Sequence, residues 1–193
     1  MFRNASPAPE RVVRVKVMVD SRLMVENRAW KDAVTTLVTR ASEYYEDHFA
    51  IRLAITAMEE WVYAGETPFT SDLMVDLKSR LPLDGADPSY DLILGLTRQR
   101  ISVYFGRGRA DRIGSCEEGL GRHVVVFMSV PLYRNQDDLD TDATAVIHEI
   151  GHIFGAEHAD DPDSIMNEHF RYRTEFDRLN REILLRNRLC PFG

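Results

Sequence analysis

The chain has 193 residues, enough for one domain with a buried core. Its 44% hydrophobic and 28% charged residues exclude a disordered or fibrous chain. A net charge of −7 argues against nucleic acid as a main partner, because phosphate binding needs a basic surface.

No stretch approaches the roughly 18 apolar residues of a membrane span, so no membrane partner is expected. The opening MFRNASPAPE lacks the apolar run of a signal peptide. The compartment stays open between retention in the cell and export of a trimmed chain. Residues 1–10 are expected to form a flexible tail, with one domain over 11–193.

Val13, Val15, Val17 and Val19 alternate with Arg14, Lys16 and Met18, which predicts a strand over 12–19. The period then changes: Trp30, Ala33, Val34, Leu37, Ala41 and Tyr44 predict a helix over about 26–47. Ile51, Leu53, Ile55 and Ala57 alternate as a second strand. Leu73, Met74, Leu77 and Leu81 suggest a short helix over 71–81, stopped by Pro82. Residues 91–96 read as a buried strand. Residues 106–121 hold five glycines and read as loop with room for one short edge strand. Another strand is expected over 124–130. A long helix should then begin near Thr141, capped by Asp140 or Thr141, with Asp142 in its first turn. A last helix is expected over about 170–188. This order predicts an α/β domain with one sheet and two or three long helices.

Residues 148–158 read H-E-I-G-H-I-F-G-A-E-H. On a helix His148 and His152 share a face and can share a metal. Glu149 projects from an adjacent position, close enough to serve as general base without being a ligand. Gly155 permits a sharp change of direction, which lets His158 approach the same ion. Three neutral imidazoles with an open fourth position form the ligand set of a catalytic Zn2+. Glu149 would then take a proton from the metal-activated water and pass it to the leaving amine. An isolated HExxH is compatible with an ordinary amphipathic helix. Five fixed positions put a chance match well below about one in ten thousand.

H-E-x-x-H-x-x-G-x-x-H followed by a methionine turn resembles the metzincin zinc metalloproteases. The continuation A-D-D-P-D-S-I-M places Met166 like the Met-turn methionine, a hydrophobic base beneath the metal. The spacing is similar to that of matrixins. The resemblance implies a twisted mixed sheet, an active-site helix and a C-terminal helix. It also implies a cleft between an upper part, about 11–157, and a lower part, about 158–193.

Glu168 stands where astacins and serralysins often carry a zinc-reaching tyrosine. Asn167-Glu168-His169 replaces the matrixin Tyr-Pro, so the S1′ wall does not transfer. The substrate should extend along an edge strand, with Ile113, Gly114 and Ser115 within 112–116 as candidates and a plain glycine-rich loop as the alternative. Adamalysins often bridge cysteines placed like Cys116 and Cys190. The two can otherwise be free thiols, or Cys116 can act as a zinc latch.

His48, His123 and His169 are not expected to be ligands. Asp160, Asp161 and Asp163 could bind structural Ca2+ but read better as a solvated acidic turn. The expected function is zinc-dependent endopeptidase action by a monomer on a peptide or protein. One alternative is an archaemetzincin-like aminopeptidase or narrow peptidase, although the extra metal-binding cysteines of that family are absent. The other is a metal-bearing binding module without turnover, which would have no need of Glu149.

Overall fold

A computed structural model describes residues 9–65, 69–81, 89–98, 107–129, 133, 135–169 and 172–193. Most of the predicted tail, residues 1–8, lies outside them. Five strands form one sheet: β1 (Arg11–Asp20), β2 (Ile51–Trp61), β3 (Leu92–Thr97), β4 (Gly108–Ala110) and β5 (His123–Phe127). Their order is β2-β1-β3-β5-β4, with β4 antiparallel to β5 at one edge and every other pairing parallel. The mixed α/β architecture is the one expected.

Burial on both faces explains the composition of the central strands. Val13, Val15, Val17 and Val19 pack on the face covered by α2 (Trp30–Phe49) and α4 (Gln136–Ile153). Met18, Ile93 and Val125 point to the other face, beneath Leu73 and Leu77 of α3 (Thr70–Arg80) and Trp61. A strand buried on both sides needs apolar residues throughout, which is why β3 reads as a continuous hydrophobic run.

Several boundaries differ from the sequence expectation. The helix expected over 26–47 is α2, which starts only at Trp30, and a separate short helix, α1 (Ser21–Glu26), precedes it. Asn27 separates them, its side-chain oxygen accepting the Ala29 N–H at 2.8 Å. The helix α4 begins at Gln136, not near Thr141, because Asn135 caps it by accepting the Asp138 N–H. Asp140 instead faces α2 and pairs with Arg40 at 2.8 Å.

The last helix, α5 (Arg178–Asn187), begins well after residue 170, which itself lies outside the described residues. The stretch before it bonds elsewhere: Glu175 O accepts the Ile165 N–H at 2.7 Å and Arg173 donates to Pro162 O. Asp177 then caps the helix through the Asn180 N–H. Among the described residues no helix is long and apolar enough to cross a membrane.

A buried ion pair ties β4 to α4. Asp142 is fully buried and receives the Arg107 guanidinium, the Ser129 N–H and hydroxyl, and the Tyr133 hydroxyl. Arg107 also donates to Phe127 O, so one side chain joins the edge strand, its neighbour and the helix.

The structure pairs Cys116 with Cys190, with Cα atoms 5.0 Å apart. That excludes the free-thiol and zinc-latch readings for this state. The loop spans 74 positions, for which the chain-entropy account gives roughly 4 kcal/mol. Denatured protein should therefore show no reactive thiol until reductant is added, and two afterwards. The Cys116→Ser/Cys190→Ser protein should unfold at lower denaturant than wild type. Two thiols titrating without reductant would contradict the pairing.

Candidate metal centre

The last two turns of α4 carry His148, Glu149 and His152, all nine-tenths or more buried. Gly155 then adopts φ +98°, a left-handed conformation that ends the helix and turns the chain. The turn is closely packed: a Cβ at Gly155 would lie 2.5 Å from Gly114 O and 2.6 Å from the Asn187 amide nitrogen. His158 returns towards the helix. Its ring centroid stands 5.3 Å from that of His148 and 4.9 Å from that of His152.

The nearest ligand nitrogens of the three histidines all lie within 4.8 Å of one another. This is the one group of three or more potential ligands among the described residues. His48 stacks on Tyr44 and His123 is buried beside Asp111. His169 lines the cleft without joining the group.

Ring orientation is set by the main chain. His148 Nδ1 lies 2.7 Å from Ile165 O, and His152 Nδ1 lies 2.7 Å from Ala156 O. A carbonyl only accepts, so each Nδ1 carries the hydrogen and each Nε2 keeps its lone pair. Burial, with the neighbouring histidines, lowers His148 to about 3; burial lowers His152 to about 4. Both rings are neutral donors at physiological pH, which suits a divalent cation with a preference for imidazole.

Glu149 has the opposite problem. Burial raises it to about 8, against a hydrogen bond from the Ala110 N–H and the charge of Arg109. It packs against β4 so closely that a Cβ at Gly108 would lie 2.6 Å from Glu149 Cγ. The edge strand and the acidic side chain are thus in contact.

Met166 is fully buried, and its sulfur would lie 3.0 Å from a Cβ at Gly151, between the two helical histidines. Its turn also supplies Ile165 O to His148. Asn180 was not singled out from the sequence. Its amide accepts the Glu157 N–H and donates to Glu157 O, holding the residue before His158. The pattern Asp177-x-x-Asn180 signals a helix start and nothing of this second role.

These groups open on a cleft of about 880 Å³. One wall runs from Arg107 to Ile113, and the other includes His158 and Asn167 to His169. Of the three edge candidates, Ile113 lines the cleft. Gly114 instead donates its N–H to His152 O at 2.9 Å, and Ser115 turns back to pair with Gly119. The extended edge lies at Gly108–Ala110, upstream of the 112–116 expectation, because β5 offers its pairing partners there.

A profile of the family described as metallo-peptidase family M12B, reprolysin-like, matches residues 31–159. No curated protein matches the chain in sequence. Among solved structures, archaemetzincin from Methanopyrus kandleri superposes with a TM-score of 0.66 over 91% of this chain and 94% of its own. At 21% identity that likeness is one of fold.

The two protonation tendencies predict how the metal-free protein responds to pH. His148 and His152 bind protons less readily than in the unfolded chain, where histidine titrates near 6.5; stability is lost as pH falls from there towards 4 and 3. Glu149, held at about 8 against an ordinary 4.5, loses stability as pH rises between those values. Two histidines outweigh one glutamate below 6.5, so the site's contribution peaks near pH 6.5. In excess chelator, Tm should fall between pH 6.5 and 8, and Glu149→Gln should remove that fall. An equal drop in both proteins would mean another group is responsible.

Proposed function

We propose, for a chain that belongs to the reprolysin-like family of M12B metallopeptidases, that Glu149 is the general base of an endopeptidase. Membership makes it a zinc metallopeptidase, an enzyme that hydrolyses peptide bonds. The observation that carries the finer reading is the contact between Glu149, β4 and the histidine trio at the floor of one open cleft.

His148, His152 and His158 would hold the metal through Nε2 of the first two rings, since their Nδ1 atoms are engaged. Zinc held there supplies a Lewis acid for a peptide carbonyl, acidifies water towards a pKa of about 7 and, by its charge, draws Glu149 down. Glu149 takes the proton of the attacking water on its carboxylate and delivers it to the departing amine. Its hydrogen bond with the Ala110 N–H keeps that carboxylate beside the edge strand, where the scissile peptide would lie.

Substrate binding follows from β4. Among the described residues only β5 pairs with β4, so the outward main-chain groups not taken by Glu149 are open to an extended peptide. The wall from Arg107 to Ile113 continues on both sides of Glu149, which supports cleavage within a chain. Ile113 and the exposed Phe69 supply apolar surface along it. Met166 acts as the apolar floor of a Met-turn, packing the helix between its two ligands. The reading requires one copy of the chain, a peptide or protein substrate, and no nucleic acid or membrane.

Metal analysis should find about one zinc per chain. Glu149→Gln should keep that zinc and lose at least about a hundredfold in kcat. His158→Ala should weaken zinc retention against a chelator. Cleavage of a proteome-derived peptide library should yield internal cuts that vanish in chelator. Glu149→Gln turnover equal to wild type would remove the assigned base, and products trimmed only from one terminus would replace the endopeptidase by an exopeptidase.

A further inference from the structure

The cleft is charged unlike the rest of the molecule. Three arginines fall within residues 107–112 on one wall, in a chain whose net charge is −7. They are not equivalent. Arg107 is held by the buried Asp142, and its charge is neutralised there. Arg112 is exposed and donates to Glu118 O at 3.2 Å, a contact that leaves its charge unpaired. Arg109 is exposed, and among the described residues it makes no hydrogen bond or ion pair.

The carboxylates of this wall do not cancel those charges. Asp111 is only 5% exposed, and its oxygens face inward to the Arg122 N–H, His123 and Lys78. Glu149 is buried at the floor. Glu168, on the opposite wall, is the remaining acidic residue of the cleft among the described residues. Among the described residues the lip of β4 therefore presents two positive charges with no side-chain ion pair, Arg109 acting on the buried Glu149 only at a distance.

Position along the strand decides which matters more. Glu149 Cγ approaches Gly108, so the bond to be cut lies beside that residue. Arg109 is the next residue, about 3.3 Å further along an extended chain. Its neighbours Gly108 and Ala110 leave it unobstructed. Resting on the endopeptidase reading of this cleft, we propose that the enzyme selects peptides with an aspartate or glutamate within about two residues of the cleaved bond, recognised chiefly by Arg109 with support from Arg112. A lysine or arginine there would meet like charge in a cleft where field lines concentrate.

Matched fluorogenic peptides test this, identical except for Glu, Gln or Lys at each position flanking one cleavage site. Wild type should show kcat/KM about five- to tenfold higher for Glu than for Lys at the responsive position, shrinking as salt is raised. Arg109→Lys should keep the preference, Arg109→Gln should bring the ratio near one, and Arg109→Glu should invert it. Because the Arg109 charge also acts on Glu149, rates are compared between peptides within each variant, where that effect cancels, and a thermal melt checks that each variant is folded. Equal cleavage of Glu and Lys peptides by wild type would overturn the proposal, as would a preference that survives Arg109→Glu. Anisotropy of the same labelled peptides on zinc-loaded Glu149→Gln protein gives a reading independent of turnover. Tighter binding of the acidic peptide without any wild-type hydrolysis would keep the charge selection and refute the peptidase reading, whereas equal binding of both peptides would refute the selection itself.

Discussion

Two hydrogen bonds from imidazole to main chain, His148 to Ile165 O and His152 to Ala156 O, govern the rest of the site. A metal needs ligand rings that are neutral, correctly turned and close together before it arrives. Neutrality follows from burial within α4. Orientation needs a carbonyl opposite each Nδ1, and neither carbonyl belongs to the helix. One comes from the turn after Gly155 and the other from the turn at Met166. The chain beyond the helix must therefore fold back twice, and most of the lower part of the molecule serves that return. Asn180 clamps Glu157, Ser164 pairs with Glu175, and Asn187 donates to Phe154 O beside the Gly155 turn.

The same burial that keeps the histidines neutral works against the glutamate between them. A carboxylate at the end of a buried helix turn is disfavoured, and β4 offsets this with one N–H and a nearby guanidinium. Holding a carboxylate in this way costs folding stability unless a cation completes the site. The scaffold around it is correspondingly firm: Tyr45, fully buried in α2, donates its hydroxyl to Ile147 O immediately before His148. The Arg107–Asp142 pair fixes the other end of the same helix to the sheet edge. The sheet edge and the histidine-bearing helix are thus held by separate attachments.

Much of this was legible in the sequence, for identifiable reasons. Metal chemistry needs fixed residue types at fixed spacing, so His148, Glu149, His152, Gly155 and His158 declare themselves within eleven positions. The valine alternation of β1 and the period of α2 are local patterns as well. What remained hidden depends on partners distant in sequence. The start of α4 was misplaced because Asp140 and Thr141 have the chemistry of caps, whereas Asn135 takes that role and Arg40 of α2 decides the fate of Asp140. Residues 172–177 carry apolar spacing compatible with a helix, yet they bond to 162–165 through the Glu175 carbonyl and the Arg173 side chain. The edge strand is only three residues long and has no period of its own. Cys116 and Cys190 left their pairing open, since only the fold brings their Cα atoms within 5.0 Å.

Arg107, Arg109 and Arg112 show why charge counted along a sequence says little about a cleft. All three sit in one short stretch, and a count would assign them one role. Burial separates them: the first meets a carboxylate with no access to water and becomes part of the frame, at a strength that depends on its partner remaining in place. The second is exposed on the edge strand, where among the described residues its side chain makes no ion pair and acts on Glu149 only at a distance. An unpaired exposed arginine costs the folded protein almost nothing, because water solvates it as well as it does in the unfolded chain. Its charge becomes consequential only when a peptide lies beside it and displaces that water. The chain's net charge of −7 strengthens the contrast, since these arginines then set a local positive potential against an acidic background.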